Sequence, residues 1–446
     1  MTKKIPEQVV MFFSVVKWTV FAVMAGIVIG TATSFFIKIL EFSSKFVGRY
    51  PWYFLLMPVA FFLSVILIKY FAPDAEGHGT EKVIESIHKK SGKIKPAVVP
   101  VKLLATVITL ASGGSVGKEG PAAQIGAGIS SIMSNLFKMD NHDRKKLVIC
   151  GISAGFAAVF GLPISGAIFG IEILFIGRIL YDVLLPSLIA GITSYEVSLF
   201  WGIVPLHKNI NYAVVPTKFP YYFLAGIFLG LVSITFITIL NKMESFAHNL
   251  NIWKPLKGLI GGVMMIGLMY MFSKQFLGLG SDTILSTLNG GQVVWYAFLA
   301  KMIFTAVTLS FGGSGGIITP LFFIGITAGS MFATVFHLNN QVFAALGMIG
   351  IVAASANAPI TAIIMAAEIF GPVLLLPAAI VSTISFLING HNSVYPSQIL
   401  AMKKSISLDV EVDEEIKKVE ATFIPREGLF RKVYSYLTDF YSSWRN

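Results

Sequence analysis

Residues 101–126 read VKLLATVITLASGGSVGKEGPAAQIG, and residues 300–325 read AKMIFTAVTLSFGGSGGIITPLFFIG. Set 199 residues apart, they share Lys102/Lys301, Thr106/Thr305, Thr109/Thr308, Leu110/Leu309, Gly113/Gly312, Gly114/Gly313, Ser115/Ser314, Gly117/Gly316, Pro121/Pro320, Ile125/Ile324 and Gly126/Gly325. A second pair, 196 residues apart, sets AAVFGLPISGAIFGIE (157–172) against AASANAPITAIIMAAE (353–368). Pro163/Pro359 and Glu172/Glu368 coincide there. Apolar composition alone gives scattered matches; it does not bring glycine, proline and lysine into one register. The chain is therefore read as two homologous halves, about residues 15–205 and 218–402.

What surrounds the repeat is a membrane protein. Of 446 residues, 55% are hydrophobic and only 13% charged, about half the charged share of a soluble domain. At roughly 20 apolar residues per span, the supply allows up to about twelve crossings. Between Lys301 and Lys403 the one charged residue is Glu368, which no solvated surface would show. The apolar runs are continuous, as in 219–240 and 373–387, so helices are expected and a β-barrel is not. The net charge of +11 reads as Lys and Arg gathered in cytoplasmic loops, as at Lys89–Lys95 and Arg144–Lys146. No RNA-binding signature accompanies it, and nucleic acid is not expected as a partner. Cys150 is the only cysteine. With no metal-ligand spacing and no HExxH, GxSxG or phosphate-loop pattern, neither metal, cofactor nor enzymatic activity is expected. The stretch 20–37 is read as a retained first helix rather than a cleaved signal. Residues 1–402 make the membrane domain, and 403–446 a short polar cytoplasmic tail.

Inverted repeats in transporters place the substrate where the halves meet, with broken helices pointing their ends at it. The segment Gly117-Lys118-Glu119-Gly120-Pro121 reads as an unwound stretch leading into a helix, with Pro121 at its first position. Gly315-Gly316-Ile317-Ile318-Thr319-Pro320 repeats that grammar. A helix N-terminus attracts anions through free amides and its positive dipole end. Two of them converging make an anion site without a full positive charge. Glu119 is out of place there, since a carboxylate inside a membrane is costly. The same amides that hold an anion would hold Glu119, so carboxylate and anion compete, and protonation releases the carboxylate. The plainer reading is that Glu119 caps a helix or pairs with Lys118.

At these residues the chain resembles the CLC family of chloride channels and chloride/proton antiporters. GKEGP at 117–121, GGIITP at 315–320 and SVYPSQIL around Tyr395 carry the resemblance, which covers about residues 15–402. It implies an all-α polytopic fold of two inverted-topology halves built from many tilted and broken helices. It also implies a homodimer in the plasma membrane with one anion pathway per subunit. Glu119 matches the gating and proton-transfer glutamate. Gly117, Lys118 and Gly120 flank it at the anion site. Gly316 with the amides of Ile317 and Ile318 matches the central anion contacts, and Tyr395 the tyrosine whose hydroxyl reaches that anion from inside. The first anion-contacting loop aligns with Gly77-His78-Gly79-Thr80-Glu81.

Four positions depart from the family pattern. His78 replaces the loop serine, Glu81 the loop proline, and Ile318 a phenylalanine. His78 either donates an N–H to the anion or turns away and leaves a backbone amide to do so. Ile173 stands where antiporters carry a second, inner proton-transfer glutamate. Glu172, beside it, is read as structural, with Glu368 as its repeat partner. The function expected is transport of chloride or a similar small anion, gated by Glu119 and coupled to protons. The alternative is a passive chloride channel, which Ile173 favours. A cation-coupled carrier would need more intramembrane carboxylates, and an intramembrane enzyme would need a nucleophile with its base.

Overall fold

The computed structural model describes residues 6–212 and 214–423; the last part of the expected tail, 424–446, lies outside them. Among the described residues there are sixteen α-helices. The first half holds α1 Glu7–Val47, α2 Met57–Phe71, α3 Thr80–Lys89, α4 Val98–Ala111, α5 Glu119–Leu136, α6 Asn141–Phe160, α7 Pro163–Glu172 and α8 Leu184–Phe200. The second holds α9 Phe219–Asn249, α10 Lys254–Met271, α11 Ser281–Leu288, α12 Ala297–Ser310, α13 Ile318–Val335, α14 Asn340–Ser355, α15 Pro359–Phe370 and α16 Leu375–Ile388. Five helical segments are long and apolar enough to cross a membrane. Others, such as α4, α12, α14 and α15, are apolar but shorter, as broken helices ending inside a bilayer should be.

Reciprocal contacts relate the halves by a local two-fold. Gly117 and Gly316 form an isolated antiparallel bridge, each amide donating to the other's carbonyl at 2.7 Å. The Ser115 amide donates to the Thr308 hydroxyl at 3.1 Å, and the Ser314 amide to the Thr109 hydroxyl at 3.0 Å. Glu172 accepts from the amides of Ile360 (3.0 Å) and Thr361 (2.7 Å) at the start of α15. Glu368 accepts from Ile164 (2.9 Å) and Ser165 (2.8 Å) at the start of α7. Each carboxylate satisfies amides that a helix N-terminus leaves without an intrahelical partner. The structural reading of Glu172 therefore has a concrete content: it fastens the opposite half.

Helix packing obeys the same symmetry. Gly126 in α5 lies against Gly151 in α6, and Gly325 in α13 against Gly347 in α14, so closely that an added Cβ would strike backbone. Small residues let membrane helices approach to this distance. α6 and α14 are each capped by a side chain, Asp140 onto the Asp143 amide and Asn339 onto the Val342 amide. Beyond the C-terminus of α5, Asp143 pairs with Lys17. At the C-terminus of α13, Phe336 meets Tyr221, whose ring lies under Lys218.

One expectation changes. α5 and α13 begin two residues earlier than Pro121 and Pro320, which occupy the third helical position instead of the first. No amide in the first turn has an intrahelical partner, so proline is tolerated throughout that turn. The first residues of the tail are paired with the membrane domain. Strand β2 (Ile399–Leu400) pairs in parallel with β1 (Phe175–Ile176) and antiparallel with β4 (Glu414–Glu415), while β3 (Leu408–Asp409) pairs with β5 (Thr422–Phe423). The position 402 falls inside this small sheet, which ties residues after it to the end of α7.

Candidate anion and proton site

The backbone at the centre is glycine because little else fits. Cβ atoms at Gly117 or Gly316 would collide with the Glu119 carboxylate, and one at Gly120 with the His78 carbonyl. Gly77 and Gly79 have φ of +76° and +81°, a region that side chains disfavour. The loop they bend is held from behind. The Lys102 ammonium, fully buried in α4, donates to the carbonyls of Ala75 (3.1 Å) and Gly77 (2.5 Å). Lys301 does the same in the second half, donating to Phe276 (3.0 Å) and Gly278 (2.8 Å).

Glu119 is 1% exposed. Its carboxylate crosses to the other half, accepting from the Thr319 amide at 3.0 Å and the Thr319 hydroxyl at 2.6 Å. It sits on the N-terminus of α13, where the free amides and dipole end would also draw an anion. Lys118, half-buried at the cap of α5, forms no ion pair with it among the described residues. Ile317 caps α13 and Ile318 is its first helical residue, both 1% exposed. The hydrogen bonds that the Glu119 carboxylate accepts from this turn come from Thr319. Its hydroxyl was not singled out from the sequence; it stands one residue past the motif position expected to matter.

Below this point lie two polar atoms without partners among the described residues: His78 Nδ1 and the Tyr395 hydroxyl, both shielded from solvent. The two rings stand 5.5 Å apart between centroids. The His78 ring is tilted 53° against that of Tyr395. Ile173, at the C-terminus of α7, is fully buried. Among the described residues no cluster of three or more His, Cys, Asp or Glu side chains gathers that would hold a metal.

Thus Glu119, Gly117, Gly120, Gly316, Ile317 and Ile318 come together at the junction of α5 and α13. Gly77, His78 and Gly79 abut them through Gly120, and Tyr395 adjoins His78. Such a junction can exchange a carboxylate for a small anion on one set of donors.

Comparison with known proteins gives the family. Residues 59–390 match the family model described as voltage gated chloride channel. The chloride/fluoride channel protein of Pseudomonas syringae pv. tomato (strain ATCC BAA-871 / DC3000) is 34% identical over 403 residues, 88% of each chain. The H(+)/Cl(-) exchange transporter ClcA of Klebsiella pneumoniae (strain 342) is 28% identical over 71% of this chain and 72% of its own. Among solved structures, a CLC-type fluoride/proton antiporter superposes with TM-score 0.82 at 27% identity, covering 87% of this chain and 98% of that one. A slow cyanobacterial Cl-/H+ antiporter superposes at 0.75 with 23% identity, covering 83% and 94%, a likeness of fold. The chain belongs to the CLC family.

Proposed function

We propose that this chain is a proton-coupled antiporter of a small anion, with Glu119 as both gate and proton carrier. One observation carries the reading: the Glu119 carboxylate occupies the N-terminus of α13, held by the amide and hydroxyl of Thr319. Ionised, it competes with an anion for those donors. Protonated, it loses the charge that holds it there, and the anion takes its place. Alternating the two moves protons one way and anions the other. His78 and Tyr395 supply the next donors along the path. The working unit is a homodimer in the plasma membrane, each subunit with its own pathway. Transport relatives and an all-helical membrane fold support a carrier over an enzyme.

The relative at 34% identity is named for chloride and fluoride, and the structure at 27% identity for fluoride. Fluoride is therefore the first anion to test, with chloride beside it. The channel reading keeps one observation in its favour, the fully buried Ile173 at the inner position. Anion efflux and internal pH followed together in proteoliposomes separate the readings. Protons driven uphill by a fluoride or chloride gradient support antiport. Anion flux without proton movement gives the channel.

A further inference from the structure

An antiporter needs a proton route between the inner solution and Glu119, which is sealed from solvent. Glu172 and Glu368 are already committed to the amides of α15 and α7. Glu81 is different. It lies in the first turn of α3, partly buried, and reaches across to Ser397, accepting from its amide at 3.1 Å and its hydroxyl at 2.5 Å. Asp282 holds the corresponding place in the first turn of α11 and is exposed.

The surroundings of Glu81 connect both ways. Toward the site, His78 precedes it by three residues and Tyr395 precedes Ser397 by two, and these two rings face each other with unpaired polar atoms. The loop from His78 to Gly79 packs directly on Gly120, the neighbour of Glu119. Toward the surface, Glu81, Glu85 and Lys89 recur at four-residue spacing on one face of α3. Lys82 and Glu85 border a small polar cleft with Asp74, Lys90, Lys93 and Gln124. The basic residues of this face mark it as cytoplasmic. Gln398, next to Ser397, donates to the Ile173 carbonyl at 2.8 Å. Glu81 therefore comes from α3 to the neighbourhood where α7 offers only Ile173.

We infer that Glu81 is the inner proton-transfer residue of this protein, supplied by α3 in place of a carboxylate at position 173. This rests on the proton-coupled reading above. A proton delivered from the inner solution along the Glu85 side of α3 converts Glu81 to the neutral acid. Its passage across the pocket of His78 and Tyr395 restores the Glu81 carboxylate and neutralises Glu119, which lets go of Thr319. One proton moves and nothing else is consumed. The charged and titratable groups around Glu81 are Lys82 and Glu85 on its own helix and Tyr395 across the pocket, which lies between Glu81 and Glu119. α6 brings Lys145 near His88 at the far end of α3.

The test uses the full chain in proteoliposomes under a fluoride gradient, then a chloride gradient, reading anion efflux and proton uptake together. Glu81→Gln is expected to lower the proton-to-anion ratio at least tenfold, proton uptake falling far more than anion efflux. Glu81→Asp is expected to restore the ratio in large part. A Glu81→Gln ratio within twofold of the parent overturns the assignment. So does an equal fall of both fluxes, or loss of folding, that Glu81→Asp fails to relieve, because a residue that merely anchors Ser397 would behave so. A parent protein that moves anions without protons sinks the antiport reading itself, which separates the two failures.

Discussion

The two helix starts at the centre, α5 and α13, share a scaffold and differ in chemistry. Each follows a glycine bridge, each stands beside a loop pinned by a buried lysine, and each packs on its neighbour through paired glycines. The first half then places Glu119 where the second places Ile318, and His78 where the pinned second loop carries Leu279. Repeated residues hold the two-fold together; unrepeated ones stand where an anion or proton would pass. The lesson is that symmetry marks the frame and its breaking marks the site.

The sharpest way to break that comparison is Glu119→Gln. An amide side chain mimics the protonated gate and cannot titrate. Proton movement coupled to anion flux should fall at least a hundredfold, while protein yield and thermal stability in detergent stay near the parent. Coupled proton uptake that persists in liposomes would remove Glu119 from the mechanism.

The lysines test the frame. Lys102→Met and Lys301→Met each leave two carbonyls without a donor inside the protein. An unsatisfied buried polar group costs about 1–3 kcal/mol. Thermal unfolding should therefore drop by a similar amount in both. Only Lys102→Met should also weaken anion binding, because only its loop carries His78. Calorimetric titration with fluoride and chloride decides this; equal binding losses in both variants would erase the distinction between the loops.

Much of this frame was legible in the sequence. The register of Gly117 with Gly316 and of Glu172 with Glu368 already implied two halves meeting. It did not reveal that Glu172 and Glu368 fasten each other's half, because a repeat gives correspondence and not contact. The partners of Lys102 were hidden for the same reason: backbone carbonyls leave no trace in side-chain pattern. The Thr319 hydroxyl was missed because threonine in an apolar helix looks like filler until a carboxylate arrives from the other half. The pairing of β1, β2 and β4 was out of reach, since two-residue strands have no period to read.

Glu172→Gln and Glu368→Gln sharpen the claim that repetition means structure. Each replaces a carboxylate that accepts from helix amides with a group that turns donors toward donors. Hydrogen bonds to charged groups contribute about 1.5–3 kcal/mol. Glu172 is buried and Glu368 only partly so, and the loss of stability should be larger for Glu172. In neither variant should the proton-to-anion ratio change, which the same liposome assay reads.

The smallest effect concerns the docked tail. Burial alone would raise the Glu415 carboxyl, but hydrogen bonds from Lys417 and Lys89 outweigh it and hold the group down at about 2. Lys89 Nζ lies 2.8 Å from one carboxylate oxygen and Lys417 Nζ 2.8 Å from the other. An unfolded glutamate titrates near 4.3. A carboxyl held lower when docked contributes its full stability above about 4.3, and that contribution is lost as pH falls through about 2. The protection factors of the Asp413 and Ile416 amides, which donate to the Leu400 and Gln398 carbonyls of the strand that β4 covers, should therefore fall between about pH 4.3 and 2 in the parent. Glu415→Gln should show the lower protection factors already at about pH 7 and little further change on acidification. Because this contact belongs to the tail and has no counterpart in the two-fold, neither anion flux nor coupling should follow it. Coupling that did follow it would extend the functional asymmetry of the molecule beyond the centre and down to its inner face.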